Sequence, residues 1–194
     1  MNPNTPAYWD EQYAVPRSDR RIDDHRLQYL IGEMRDWRQY HPYAEQPTIL
    51  DVGCGDGEML RFLHAFFPTW VKCGVDICPQ TMARNLLQSP GFRYWVASAD
   101  ELELTEVADV VWCGETLEHL DNPEAAIERM VSALRPRGYL VCSVPNENRN
   151  RSPEHMREFT VWQAIQLTTA HGKLRNVCVK SDTGWQSVVW TVIK

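Results

Sequence analysis

Apolar and polar positions along the chain change period several times, and each change marks an element. Residues 21–40 (RIDDHRLQYLIGEMRDWRQY) set Ile22, Leu27, Leu30, Ile31, Met34 and Trp37 near a helical repeat, so a helix is expected there. HPYAEQP then breaks the chain. From residue 48 short apolar runs alternate with helical patterns. PTILDVG reads as a strand, GEMLRFLHAFF as a helix stopped by Pro68, WVKCGVDI as a strand, and PQTMARNLLQS as a helix with proline in its first turn. FRYWVAS and ADVVWCG follow as strands, and NPEAAIERMVSALRP as a helix ended by Pro136. GYLVCSVPN reads as a strand and REFTVWQAIQLTTAHG as a helix with a glycine stop. The last run, KLRNVCVKSDTGWQSVVWTVIK, reads as two β segments turned by SDTG.

Strands alternating with helices predict an α/β fold with a mainly parallel sheet, helices on both faces, and an antiparallel hairpin at one edge. The 194 residues suit one domain, 1–194. Within it, residues 1–40 are expected to form an N-terminal lid or helical arm and 48–194 the core. The polar stretch 1–20, with prolines at 3, 6 and 16, is the lid part.

Composition narrows the class of function. Apolar content of 43% and charged content of 24% are ordinary for a soluble globular chain. No run of eighteen apolar residues is present, so no membrane span is expected. MNPNTPAYWDEQY has neither a basic start nor an apolar centre, so it does not read as an export signal, and a cytoplasmic location is expected. The net charge of −6 disfavours a nucleic-acid partner, which needs a basic face. The clusters Arg17, Arg20, Arg21, Arg26 and Arg149, Arg151, Arg157 read as solvated surface charge. The six cysteines include no CxxC pair, which argues against a zinc ribbon, and several lie in apolar runs as small buried hydrophobes.

The candidate chemistry begins at I49-LDVGCGDG-G57, where glycines alternate directly after an apolar run. Such a loop, between a parallel strand and a helix, lies where ligands bind in open sheets. A phosphate-binding GxxxxGK[ST] run does not occur. GxGxxG fails at its third position, which is Glu58. Asp51, Asp56 and Glu58 surround the loop; anions oppose a phosphate at a helix N-terminus but favour a cationic ligand. S-adenosylmethionine, with a sulfonium and an ammonium, fits that charge pattern.

With GVDIC (Gly74–Cys78), ADVVWCGETLEHL and LRPRGYLVCSVPN following in order, the chain resembles the class I S-adenosylmethionine-dependent methyltransferases over about residues 20–194. The resemblance implies a Rossmann-like, seven-stranded sheet and places cofactor contacts residue by residue. Gly53, Cys54 and Gly55 would line the methionine part, with Asp51 among the acids facing the positive groups. Asp76 would take the ribose hydroxyls and Ile77 one face of the adenine. In A97-SAD-D100 the adenine contact falls to Asp100 with the backbone of Ala99, Ser98 standing where an acid is usual; Asp100 alternatively caps a short ELEL helix. Cys113 and Gly114 would touch the methionine chain. H25-RLQYL-L30 resembles a segment of the ubiquinone-biosynthesis O-methyltransferases in which an arginine, here Arg26, holds the ligand carboxylate.

Glu115, Glu118 and His119 lie at the mouth of that site, and S152-PEHMREFT-T160 brings His155. Three readings stand. Glu115, Glu118, His119 and His155 hold a divalent metal such as Mg or Mn, as the resemblance to the ubiquinone and small-RNA 3′-terminal 2′-O-methyltransferases implies. Alternatively His119 or His155 is a metal-free general base, or the run merely caps and packs a helix. Tyr8, Trp9 and Tyr13 of A7-YWDEQY-Y13 are expected to line the acceptor side or to pack on the sheet edge. The expected activity is methyl transfer to a small-molecule or nucleotide-like acceptor, at oxygen. The other class of function is a methyltransferase fold that only binds the cofactor or serves as a partner subunit.

Overall fold

The computed structural model describes residues 4–14, 24–146, 152–182 and 185–194. Arg17, Arg20, Arg21, Ile22, Arg149, Arg151 and the tip of the SDTG turn lie outside the described residues. The elements are α1 (Pro6–Ala14), α2 (Asp24–Tyr40), β1 (Thr48–Val52), α3 (Glu58–Phe66), β2 (Val71–Asp76), α4 (Pro79–Gln88), β3 (Arg93–Val96), β4 (Ala108–Gly114), α5 (Pro123–Ala133), β5 (Leu134–Pro145), α6 (Val161–Thr169), β6 (Lys173–Asp182) and β7 (Trp185–Ile193). Single 3₁₀ turns occupy Ala99–Glu101 and Leu117–His119.

The seven strands run in the order β3-β2-β1-β4-β5-β7-β6. β1 to β5 are mutually parallel; β7 pairs antiparallel with both β5 and β6. The expected architecture is therefore present, and the closing hairpin inserts its second arm next to β5.

Period-two alternation assigns the two faces. On β4, Val110 and Trp112 pack with Leu27, Leu30 and Met34 of α2 and Leu60 and Leu63 of α3. Val111 and Cys113 point the other way, into a core with Ile127 and Met130 of α5 and Ile165 of α6. The central strands β1, β2, β4 and the second half of β5 are buried on both sides, as a parallel sheet between helices requires, while β3 at the edge is largely exposed.

Three boundaries differ from the sequence expectation. Residues 6–14 of the polar arm form a helix. α6 starts only at Val161, because Thr160 and Gln163 form a capping box that ends the preceding coil. β5 begins at Leu134, without a loop after α5. Chain order reverses between β1 and β4, which opens a crevice at their carboxyl ends.

Candidate active site

The loop after β1 bends through three glycines in the left-handed region, Gly53 (φ 76), Gly55 (φ 50) and Gly57 (φ 75). Only glycine takes that conformation without strain. The turn is held from below: the Gly53 amide donates to Val75 O at 2.8 Å and the Gly55 amide to Asp76 Oδ2 at 2.8 Å. Asn85 of α4 donates to Gly55 O at 2.8 Å. At Gly53 a side chain would meet Thr116, whose hydroxyl donates to Gly114 O at 3.1 Å.

A cavity of about 230 Å³ opens above this loop. One wall is Gly53, Asp76, Ile77, Ala97, Ser98, Ala99 and Asp100; the other is Glu115, Thr116, His119, Leu120 and Asp121; Asn4, Trp9 and Tyr13 form the roof. Five residues expected at the cofactor thus share one space: Gly53, Asp76, Ile77, Ala99 and Asp100. Asp76 is buried, which raises its carboxyl pKa, while the Gly55 and Cys78 amides donate to it and oppose that rise. Asp100 lies inside the 3₁₀ turn and accepts from the Ser98 hydroxyl, so it does not cap an ELEL helix.

Other expected residues sit elsewhere. Asp51 is buried beneath the loop, its carboxyl pushed well up by desolvation and then by Asp76 and Asp56. Cys54 is buried with its sulfur 3.8 Å from Met82 Sδ. The Tyr13 ring covers Gly55. Cys113 is fully buried in the α5/α6 core, because the strand pleat turns it away from the crevice. Gly114 packs on the Trp112 indole. Arg26 pairs with Glu115 at 3.0 Å instead of lining the cavity.

Glu115 has φ +51, which an L side chain rarely adopts, and its Oε1 also accepts from Ser143 at 2.9 Å. That geometry keeps it out of the group formed by Glu118, His119 and His155, whose ligand-type atoms lie within 4.8 Å of one another. Met156 brings His155 there by donating its amide to Glu118 O at 2.9 Å. His119 Nδ1 lies 3.0 Å from Glu154 O, so the ring donates there and Nε2 keeps its lone pair. Nε2 is 3.8 Å from Glu118 Oε1. Among the described residues, neither buried Glu118 oxygen has a hydrogen-bond partner. Desolvation, then Glu115, push the Glu118 carboxyl well up. Desolvation, then His155, lower the His119 pKa below 6.5, against the Glu154 carbonyl, so its base form prevails at neutral pH.

Thr116 and Glu154 escaped sequence reasoning. Glu154 joins the roof to the histidines: it accepts from Tyr8 Oη at 2.5 Å and, at its carbonyl, from Asn4 Nδ2 at 3.1 Å. Trp9 stands edge-on to His119, ring centroids 4.9 Å apart, and stacks on Tyr13 at 6.0 Å. Nothing local in the sequence marks these pairings. The five cysteines in strands and loops of the core are free and buried, as expected, and Cys178 is half-buried. Among the described residues no helix is long and apolar enough to cross a membrane.

Residues 24–177 match the family described as "Methyltransferase domain". A ubiquinone biosynthesis O-methyltransferase of Paraburkholderia phytofirmans is 32% identical over 118 residues, covering 58% of this chain and 50% of that protein. The chain spans about half the length of the curated relatives it matches. Among solved structures, the N-methyltransferase NodS of Bradyrhizobium japonicum with S-adenosyl-l-homocysteine superposes with TM-score 0.77 at 16% identity, over 98% of each chain. The Burkholderia thailandensis 1,6-didemethyltoxoflavin-N1-methyltransferase, with its acceptor and S-adenosylhomocysteine bound, gives 0.74 at 20% identity, over 97% of this chain and 86% of that one. At such identities these likenesses concern the fold.

Proposed function

The chain belongs to the class I S-adenosylmethionine-dependent methyltransferases, and from that premise we propose that it moves a methyl group from S-adenosylmethionine to a hydroxyl oxygen of a small-molecule or nucleotide-like acceptor. The observation that carries this reading is the single cavity joining Gly53, Asp76 and Asp100 to His119 under Trp9 and Tyr13. Asp76 would hold the ribose, Ile77, Ala99 and Asp100 the adenine, and Gly53 the methionine part. Residues 1–40 would act as the arm over a 48–194 core in one domain. The acidic lining suits a cationic donor, and a small acceptor at the roof suits the volume better than a nucleic-acid chain does.

The chemistry asked of the protein is modest. Displacement at the sulfonium needs the acceptor oxygen in line with the methyl carbon, and positioning supplies much of the rate. As the oxygen–carbon bond forms and the sulfur–methyl bond breaks, the hydroxyl proton passes to His119. Its Nδ1–H stays on Glu154 O, and that hydrogen bond favours the imidazolium that results.

A second reading is favoured by the orphaned Glu118 oxygens. A carboxylate and two imidazoles fit a divalent cation such as Mn or Mg, and Glu118, His119 and His155 would hold it, without Glu115. Bound there, it would orient neighbouring acceptor oxygens and lower a hydroxyl pKa. The two readings compete for His119 Nε2.

The test is S-adenosylhomocysteine release from S-adenosylmethionine with a pool of catechols, quinol precursors, nucleotides and short RNA, with and without EDTA. Turnover that survives EDTA supports His119 as base; turnover that EDTA removes supports the cation. S-adenosylhomocysteine binding without any turnover would favour the alternative, a methyltransferase fold that only binds. No binding at all would end the proposal.

A further inference from the structure

Helix α4 follows directly on Asp76 and Ile77, yet the residue at its N-cap, Cys78, makes no side-chain capping bond. The first-turn amides are served from α1 instead. Asp10, buried, accepts from the Thr81 amide and hydroxyl, each at 2.8 Å, and from the Gln80 amide at 3.4 Å. A local Ser or Asp ordinarily does this work. Here a carboxylate from the roof helix sits at the positive end of α4.

The same helix carries the roof. Trp9, the residue before Asp10, packs on His119, and Tyr13, one turn later, covers Gly55. Tyr8 anchors α1 on the other side, on Glu154. Loss of the Asp10 contact would therefore weaken the hold of α1 on the Asp76 side while leaving the Tyr8 anchor on the histidine side.

We propose that Asp10 is a positioning residue: by capping α4 from α1 it fixes the aromatic roof to the Asp76 side of the cavity, so that the roof and the cofactor are held as one unit. This rests on the cofactor reading above. A merely structural cap would act on α4 alone, and a cap supplied locally would replace it.

The experiment compares wild type, Asp10→Ala, Cys78→Ser and the double variant for S-adenosylhomocysteine affinity by calorimetry. Hydrogen exchange of residues 6–14 and 79–88 is followed with and without the ligand. Asp10→Ala should weaken binding about five- to tenfold, the scale of one lost cap. It should also abolish ligand-dependent protection of 6–14. Cys78→Ser added to it should return the exchange of 79–88 to that of wild type while affinity stays low. Unchanged affinity in Asp10→Ala overturns the proposal. So does affinity that recovers in the double variant, or a loss that only follows faster exchange of 79–88. Wild type that fails to bind S-adenosylhomocysteine brings down the cofactor reading and this inference together; binding unaltered by Asp10→Ala brings down this inference alone.

Discussion

Replacing Gly55 by alanine tests the glycine loop and the roof together. The new Cβ would lie 2.8 Å from Cε1, Cζ and Oη of Tyr13, at a residue held at φ +50. Two costs add. A side chain in the left-handed region costs about 1–2 kcal/mol. Carbon contacts relax at about 3.5–4.0 Å, so the ring must retreat by about 1 Å; on a half-exposed helix that costs about 1 kcal/mol, the low end of overpacking. The sum is about 2–3 kcal/mol, or a fall of about 4–12 °C in Tm for a chain of this size. Urea unfolding of wild type, Gly55→Ala, Tyr13→Ala and the double variant forms a cycle. The double variant should regain about 1 kcal/mol relative to the additive expectation, leaving the backbone part. A coupling energy indistinguishable from zero would refute the claim that Tyr13 rests on the loop. Destabilisation under about 0.5 kcal/mol in Gly55→Ala would refute the strain argument as well.

Asp76→Ala should abolish the thermal stabilisation given by S-adenosylhomocysteine; an unchanged shift would mean that the ribose is held elsewhere. Asp51 has a raised carboxyl pKa in the folded state, so its ionisation opposes folding as pH rises from its ordinary 3.8 toward the folded value. Asp51→Asn should therefore stabilise the ligand-free protein at pH 7, with the gain fading below about 3.8, and should weaken S-adenosylmethionine binding; pH-scanned melting curves check the first part and calorimetry the second. If the cation reading holds, Glu118→Ala and His155→Ala should each remove metal from the purified protein, measured by elemental analysis, and metal-free wild type would end it. Without a metal, His119→Gln should lower kcat with little change in cofactor affinity, and an equal loss in both would point to a structural role.

The parts of the site written in consecutive residues were legible. Left-handed turns demand glycine at 53, 55 and 57, and an acid ending β2 at position 76 announces itself. The strand pleat decides where Cys113 sits: one residue before the end of β4, it alternates into the opposite core, a consequence of register that the motif alone does not carry. Arg26 and Glu115 each looked ready for a ligand, and three-dimensional proximity gave them to each other. Asp10 and Glu154 work across 71 and 146 residues of sequence, on Thr81 and Tyr8, where no spacing rule reaches. In the histidine cluster Glu118 and His119 are neighbours in sequence, and His155, expected there from the resemblance of its own segment, is held in place by the Met156 amide on Glu118 O.

The strand order has a bearing on biosynthesis. Among the described residues β6 pairs only with β7, which is made after it and lies between it and β5. While the ribosome is still translating residues 173–182, that segment has no partner in the sheet. It must wait as unpaired chain until Trp185–Ile193 has emerged, and the two then dock onto β5 as a hairpin. The parallel half can collapse earlier, so the nascent protein passes through a stage in which β5 presents an open edge. A ribosome stalled within residues 173–193 would release a chain with its glycine-loop half formed and a sticky strand exposed, a natural substrate for chaperone or protease.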